Sequence, residues 1–171
     1  KFFKRAFPLT VEKLGTVYTP VECVDFIIRS VDDVLKAEFG TALTNENVHI
    51  LDPFTGTGTF VTRLLQTGVI APQDMVRKYT REIHCNEIVL LAYYIADVNI
   101  ESVFQEQCPQ PEYLPYNGIC LTDTFQLGEQ SDGDIFKDFF KENSEAVEEQ
   151  RRTPVRVIIG NPPYSIGQKY A

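Results

Sequence analysis

Positive charge is what this sequence has too little of: 16 lysines and arginines stand against 24 aspartates and glutamates, a net charge of −8 at pH 7. Nucleic-acid affinity comes mostly from Lys and Arg neutralising phosphates, so the composition argues against a phosphate-tracking surface within this segment. The four cysteines, Cys23, Cys85, Cys108 and Cys120, form no Cys-x-x-Cys pair, and the histidines are two, His49 and His84. That spacing predicts no metal site and fits the reduced thiols of a cytoplasmic protein. No apolar run reaches membrane-spanning length, and Lys1-Phe2-Phe3-Lys4-Arg5 does not open a signal peptide. Internal repeats and low-complexity stretches are missing too.

What is present suffices for one domain. The 171 residues are 43% hydrophobic and 23% charged, ordinary values for a folded unit with a core. The chain opens without Met and stops seven residues after Tyr164, which reads as a piece of something larger. Residues 1–14 are expected to be an N-terminal arm and residues 15–171 a partial domain.

The pattern along the chain alternates. Val24, Ile27, Ile28, Val31 and Leu35 predict a helix from Val21 to about Phe39, with Thr19 as N-cap, Pro20 as first helical residue and Gly40 as the stop. Val48 to Leu51 reads as a strand ending at Asp52, then a Gly/Thr-rich turn, then a helix from Thr59 to about Thr67. Residues 69–81 are expected to be a surface insertion. A second strand runs from Glu82 to Asn86 and ends at Glu87, followed by an apolar helix through Ile88, Leu91, Ala92, Ile95 and Ala96. A second insertion is expected from Glu101 to Pro115. Gly118 to Leu121 is a third strand, Asp134 to Arg152 an acidic amphipathic helix with Phe136, Phe139 and Phe140 toward the core, and Val155 to Ile159 a fourth strand. Strand, Gly-rich turn and helix open a nucleotide-binding α/β fold.

A polar residue follows each strand: Asp52, Glu87, Asp123 and Asn161. In open parallel sheets ligands bind beyond the carboxyl ends of the strands, so all four are expected to face one crevice. Gly56 and Gly58 allow close backbone approach, and N–H groups at the helix start suit a carboxylate. A dinucleotide fingerprint wants a third glycine where Val61 stands. The loop is therefore a seat for an amino-acid-like group, with Asp52 facing its ammonium. Glu87 suits a ribose diol, Asp123 an adenine amino group, and Ile88 and Phe60 offer flanking apolar surface. An amino acid, a ribose and an adenine together describe S-adenosylmethionine.

The last motif is Asn161-Pro162-Pro163-Tyr164. The Asn161 amide oxygen and the Pro162 carbonyl can both accept from an NH2 group, the prolines stiffen the loop, and Tyr164 offers a face for stacking a base. With Tyr18-Thr19-Pro20, Asp52 to Phe60, Glu87 and Asp123, this resembles the N6-adenine DNA methyltransferases, in particular the methyltransferase region of large single-chain restriction-modification enzymes of the helicase-containing Type ISP kind.

The resemblance covers about residues 15 to 168. It implies an α/β, Rossmann-like, S-adenosylmethionine-dependent fold with a mostly parallel sheet, here reaching its fourth strand. It implies cofactor contacts from Thr19, Asp52, Phe54, Thr55, Gly56, Thr57, Gly58, Phe60, Glu87, Ile88 and Asp123, and catalytic roles for Asn161, Pro162, Pro163 and Tyr164. The implied partner is double-stranded DNA with a flipped adenine, gripped mainly by regions outside this chain, with fused nuclease, helicase or target-recognition parts. The same clamp fits a glutamine amide in a protein or guanine N2 in RNA, and a dehydrogenase or a non-catalytic cofactor-binding fragment are further alternatives.

Overall fold

The computed structural model describes residues 19–125 and 141–163. The expected N-terminal arm, Tyr18, Phe136, Phe139, Phe140 and Tyr164 lie outside the described residues.

Helix α1 (Val21–Phe39) buries Val24, Ile28 and Leu35, and Gly40 stops it in the left-handed conformation at φ 63°. Asp32 is buried on the same helix, accepting from the Leu43 N–H at 2.9 Å and pairing with Lys36. The start differs from expectation by one residue and in chemistry. Pro20 occupies the N-cap position, its carbonyl accepting from the N–H groups of Cys23 and Val24, and no side chain caps the helix. The Thr19 hydroxyl is used elsewhere.

Four strands follow: β1 (His49–Asp52), β2 (Ile83–Glu87), β3 (Ile119–Leu121) and β4 (Val155–Ile158). They form one parallel sheet in the order β3-β2-β1-β4. Helices α2 (Thr59–Gln66) and α3 (Leu90–Gln107) pack on each other, and α1 packs on α2. Their apolar sides meet Ile50, Ile83, Cys85, Ile119, Val157 and Ile159 of the sheet region in one core. Helix α4 (Lys141–Arg152) lies beside β3, where the Asn143 amide donates to the Leu121 carbonyl and accepts from its N–H. The chain winds outward through β2 and β3, then returns to the other side of β1. That reversal puts the switch point of the sheet between β1 and β4, where α/β folds place their ligands.

Both expected insertions are corrected. Residues 72–82 form a continuous helical run: a 3-10 turn (Pro72–Asp74), an α turn (Met75–Arg77) and a π turn (Lys78–Glu82). Met75, Lys78, Tyr79 and Glu82 are buried, and Tyr79 stacks on Phe104 with centroids 3.7 Å apart. Lys78 is 0% exposed because its ammonium donates to the Asn45 and Val48 carbonyls and pairs with Glu82. The second insertion begins later than expected, since α3 continues through Ile100 and Phe104, both in the core. Among the described residues no helix is long and apolar enough to cross a membrane.

Candidate functional site

Asp52 closes β1 and is 1% exposed. Its Oδ1 accepts from the Phe54 N–H at 3.1 Å, and its Oδ2 has no hydrogen-bond partner among the described residues. Burial, aided by repulsion from Glu87, lifts its pKa to about 7 against the relief from the Phe54 N–H. The Gly loop then folds back across the ends of β1 and β2. Thr55 donates its N–H to the Asn86 carbonyl and its hydroxyl to the Asp52 carbonyl. Gly56 donates its N–H to Glu87 Oε2 at 2.7 Å.

Two glycines in this loop are required for different reasons. Gly58 has φ 85°, and a Cβ there would lie 3.2 Å from Ile100 Cγ1, so its absence lets α3 come close. Gly56 also has positive φ, but nothing lies within 4 Å of where its Cβ would be. Gly56 thus borders open space.

Glu87 ends β2 and accepts from the N–H groups of Gly56 and Val89, one on each carboxylate oxygen. Each oxygen keeps a second lone pair for a further donor. Burial raises its pKa. Ile88, next to it, is exposed. Beyond β3, Asp123 accepts from the Phe125 N–H, while the Thr124 hydroxyl donates to the Pro53 carbonyl at 2.7 Å. That bond brings the Phe125 ring to 5.3 Å from Phe54. On the other side, Asn99 of α3 donates to the Thr57 carbonyl. Phe60, expected to flank the cofactor, is buried in the core on α2.

The Asn-Pro-Pro loop joins this group through Gly160. A Cβ on Gly160 would sit 2.6 Å from Asp52 Oδ1, so the two chain segments are in direct contact. The next residue, Asn161, donates through Nδ2 to the Thr19 hydroxyl at 3.0 Å, across 142 positions of sequence. Pro162 and Pro163 are exposed. Printed contacts therefore join the ends of β1, β2 and β4, the start of α1 and the turn after β3, with Asp52 against Gly160, Glu87 on the Gly56 N–H, Asn161 on Thr19, and Asp123 beside Thr124, which bonds Pro53.

No protein-family model matches the chain, and no curated protein matches it. Solved structures do. LlaBIII, an ATP-dependent Type ISP restriction-modification enzyme bound to DNA, is 51% identical with a TM-score of 0.84 over 98% of this chain. A nuclease-deletion mutant of the Type ISP enzyme LlaGI, in complex with a DNA substrate mimic, is 49% identical with a TM-score of 0.83 over 97% of this chain. The chain is a homologue of a region of the Type ISP restriction-modification enzymes. The DrdV–DNA complex is also similar, at 40% identity and a TM-score of 0.86 over 95% of the chain. The chain spans 12–15% of the length of these three proteins.

In this Type ISP region the fold is the Rossmann-like α/β methyltransferase fold. The residues that sequence reasoning missed are those making the site close up: Gly160, Thr124 and Phe125. Their signal was positional, a glycine between a β-branched strand and Asn161, and Thr-Phe directly after Asp123. Among the described residues no group of three or more His, Cys, Asp and Glu is placed to hold a metal ion.

Proposed function

We propose that this chain is the cofactor-binding and amine-holding part of an S-adenosylmethionine-dependent DNA adenine-N6 methyltransferase, within a larger Type ISP restriction-modification enzyme. The observation that carries it is the contact of the Asn161 loop with Asp52 at the switch point, beside the Gly loop and Glu87. DNA is favoured over a protein glutamine or RNA guanine because the homologous structures are complexes with DNA. With −8 net charge here, the grip on DNA comes from parts beyond these residues, together with nuclease or helicase functions.

The donors and acceptors around Asp52 and Glu87 suit the cofactor. Asp52 Oδ2 is a buried acceptor short of a donor, which an ammonium supplies, and a cation there holds Asp52 ionised at neutral pH. The open side of Gly56 leaves room for a carboxylate and its chain. Glu87 has lone pairs for a ribose diol, and Asp123 reaches the adenine side. S-adenosylmethionine, when bound, supplies a methyl group on a sulfonium.

The chain's own residues then place the acceptor. The Asn161 amide oxygen and the Pro162 carbonyl accept the two hydrogens of a flipped adenine's N6 amino group, turning its lone pair out of conjugation. Both are fixed dipoles aimed where positive charge grows on nitrogen, so they bind the transition state better than the ground state. Tyr164 supplies the stacking face that the resemblance implies.

The test is Asn161→Ala in the intact protein on duplex DNA, with release factor and RNA as parallel substrates. The expected result is N6-methyladenine from the wild type and a roughly 100- to 1,000-fold lower single-turnover rate in the variant, by analogy with loss of one oxyanion-hole donor. Cofactor affinity, read by calorimetry, should stay within about threefold, since Asn161 is assigned to the acceptor and not the donor. Equal losses in rate and affinity, or methylation of the other substrates alone, would overturn the proposal.

A further inference from the structure

Helix α3 is apolar on two opposite sides. Ala92, Ala96, Ile100 and Phe104 recur every fourth residue and are buried toward the core. Leu91, Tyr94 and Val98, spaced by three and four, lie on the side turned away from it and are 39%, 53% and 63% exposed. A helix that is apolar all round is ordinarily covered all round; single exposed apolar residues need no explanation, but a row of three does. The row runs into a cleft of about 350 Å³ lined by Val98, Ser102, Gln105, Pro111 and Tyr113. Tyr113 is itself exposed, and its hydroxyl is held on Glu101 at 2.7 Å. We infer that this row and cleft seat another part of the same polypeptide, an apolar helix with a basic flank, so that this region is docked through α3 to the rest of its enzyme. The inference rests on membership of the Type ISP family and not on methyl transfer.

Three observations choose the occupant. The first is length: the chain spans 12–15% of the three homologous enzymes, so most of their mass lies outside it, and domains of one chain commonly meet over roughly 600–1,500 Å². The second is size. Three side chains and one cleft fall short of the about 800 Å² per partner that separate molecules bury in a stable complex, whereas a tethered partner, at an effective concentration near ~1 mM, needs less. The third is charge. Helix α3 carries Asp97, Glu101 and Glu106 and no lysine or arginine. Glu101 and Glu112 line the cleft, and Asp97, one turn before Glu101, has a carboxylate oxygen with no hydrogen-bond partner among the described residues. Burial and repulsion from Glu101 raise the Asp97 pKa to about 6, and a basic group arriving there would offset that repulsion and hold Asp97 ionised. A second copy docked α3 to α3 would instead set carboxylates against carboxylates.

The experiment uses the full-length enzyme with the photocrosslinker p-benzoylphenylalanine in place of Val98, irradiated, digested and read by mass spectrometry. The expected adduct joins Val98 to a peptide of the same polypeptide outside these 171 residues, on a product of monomer mass. That peptide should carry Lys or Arg beside apolar residues at helical spacing. An adduct on a second copy, an adduct confined to the 171 residues, an acidic peptide or no adduct at all would overturn the inference. A smaller probe gives an independent reading: Val98→Cys in the full-length enzyme, labelled with a maleimide and followed peptide by peptide, should react at least roughly tenfold more slowly than Glu38→Cys on the exposed side of α1. Equal rates would overturn it as well. Neither measurement reads methyl transfer, so failure here leaves the proposed function standing, and failure of that function leaves the docking surface standing.

Discussion

Gly160→Ala is the smallest change that presses on both halves of the site at once. Gly160 is needed for space: the added methyl would lie 2.6 Å from Asp52 Oδ1 and 3.3 Å from Pro53 Cδ. Ordinary contact begins near 3.4 Å, so something must yield by about 0.8 Å. Asp52 cannot swing into water, because it is 1% exposed and its Oδ1 holds the Phe54 N–H. Strand β4 cannot easily retreat, because the Ile159 N–H donates to the Leu51 carbonyl at 3.0 Å. Forcing a methyl group into such a contact costs about 1–3 kcal/mol. The displacement falls on Asn161, one residue on, and a misplacement near 1 Å is worth about 100-fold in rate. The assay is single-turnover methyl transfer with cofactor affinity measured in parallel. Gly40→Ala serves as comparison: it has positive φ and nothing within 4 Å of its missing Cβ, so it should cost about 1 kcal/mol of stability and leave transfer intact. Wild-type rate and affinity in Gly160→Ala would refute the claim that Asp52 and the Asn161 loop are in hard contact.

Other expectations follow from the same geometry. The folded state raises Asp52 from 3.8 to about 7, so it keeps a proton that the unfolded chain gives up; stability should therefore fall as pH rises from about 4 to 7. Asp52→Asn should flatten that part of the melting-temperature profile, by up to roughly 4 kcal/mol in all, and an unchanged slope would clear Asp52 of responsibility. Lys78→Met should destabilise the protein by about 3 kcal/mol, because it strands the carbonyls of Asn45 and Val48 and weakens the hold on Glu82; a melting temperature equal to wild type would contradict that. Glu87→Ala should weaken S-adenosylmethionine binding roughly 10- to 100-fold by calorimetry, since it removes a charged acceptor and frees the Gly56 N–H, and unchanged affinity would take Glu87 out of the site.

The strands and α1 were legible because each is a single period carried to a clear stop: Val24, Ile28 and Leu35 on one face, or a short apolar-rich run with Asp52, Glu87, Asp123 or Asn161 at or just past its end. The run from Pro72 to Glu82 was not, since it passes through three pitches in eleven residues and no one period describes it. Its buried lysine also looks like surface until the carbonyls around it are known. Glu101 misled in the same way. It reads as the start of a polar insertion, yet it lies within α3 and accepts from the Tyr113 hydroxyl and the Tyr116 N–H. The four strand-end residues were legible as a set because a parallel sheet brings its carboxyl ends together wherever the chain goes between them. The Thr19–Asn161 bond had no local signal, and the expected use of Thr19 as a cap concealed it.

The Gly loop is tethered by groups from three separate elements: Glu87 on the Gly56 N–H, Asn99 on the Thr57 carbonyl and Thr124 on the Pro53 carbonyl. A glycine-rich segment would otherwise carry much conformational freedom into the bound state and surrender it there. Here that freedom is already gone before a ligand arrives, so association need not be slowed or weakened by ordering the segment. Loosening a remote tether such as Asn99 would then register as weaker ligand affinity, although Asn99 itself meets no ligand.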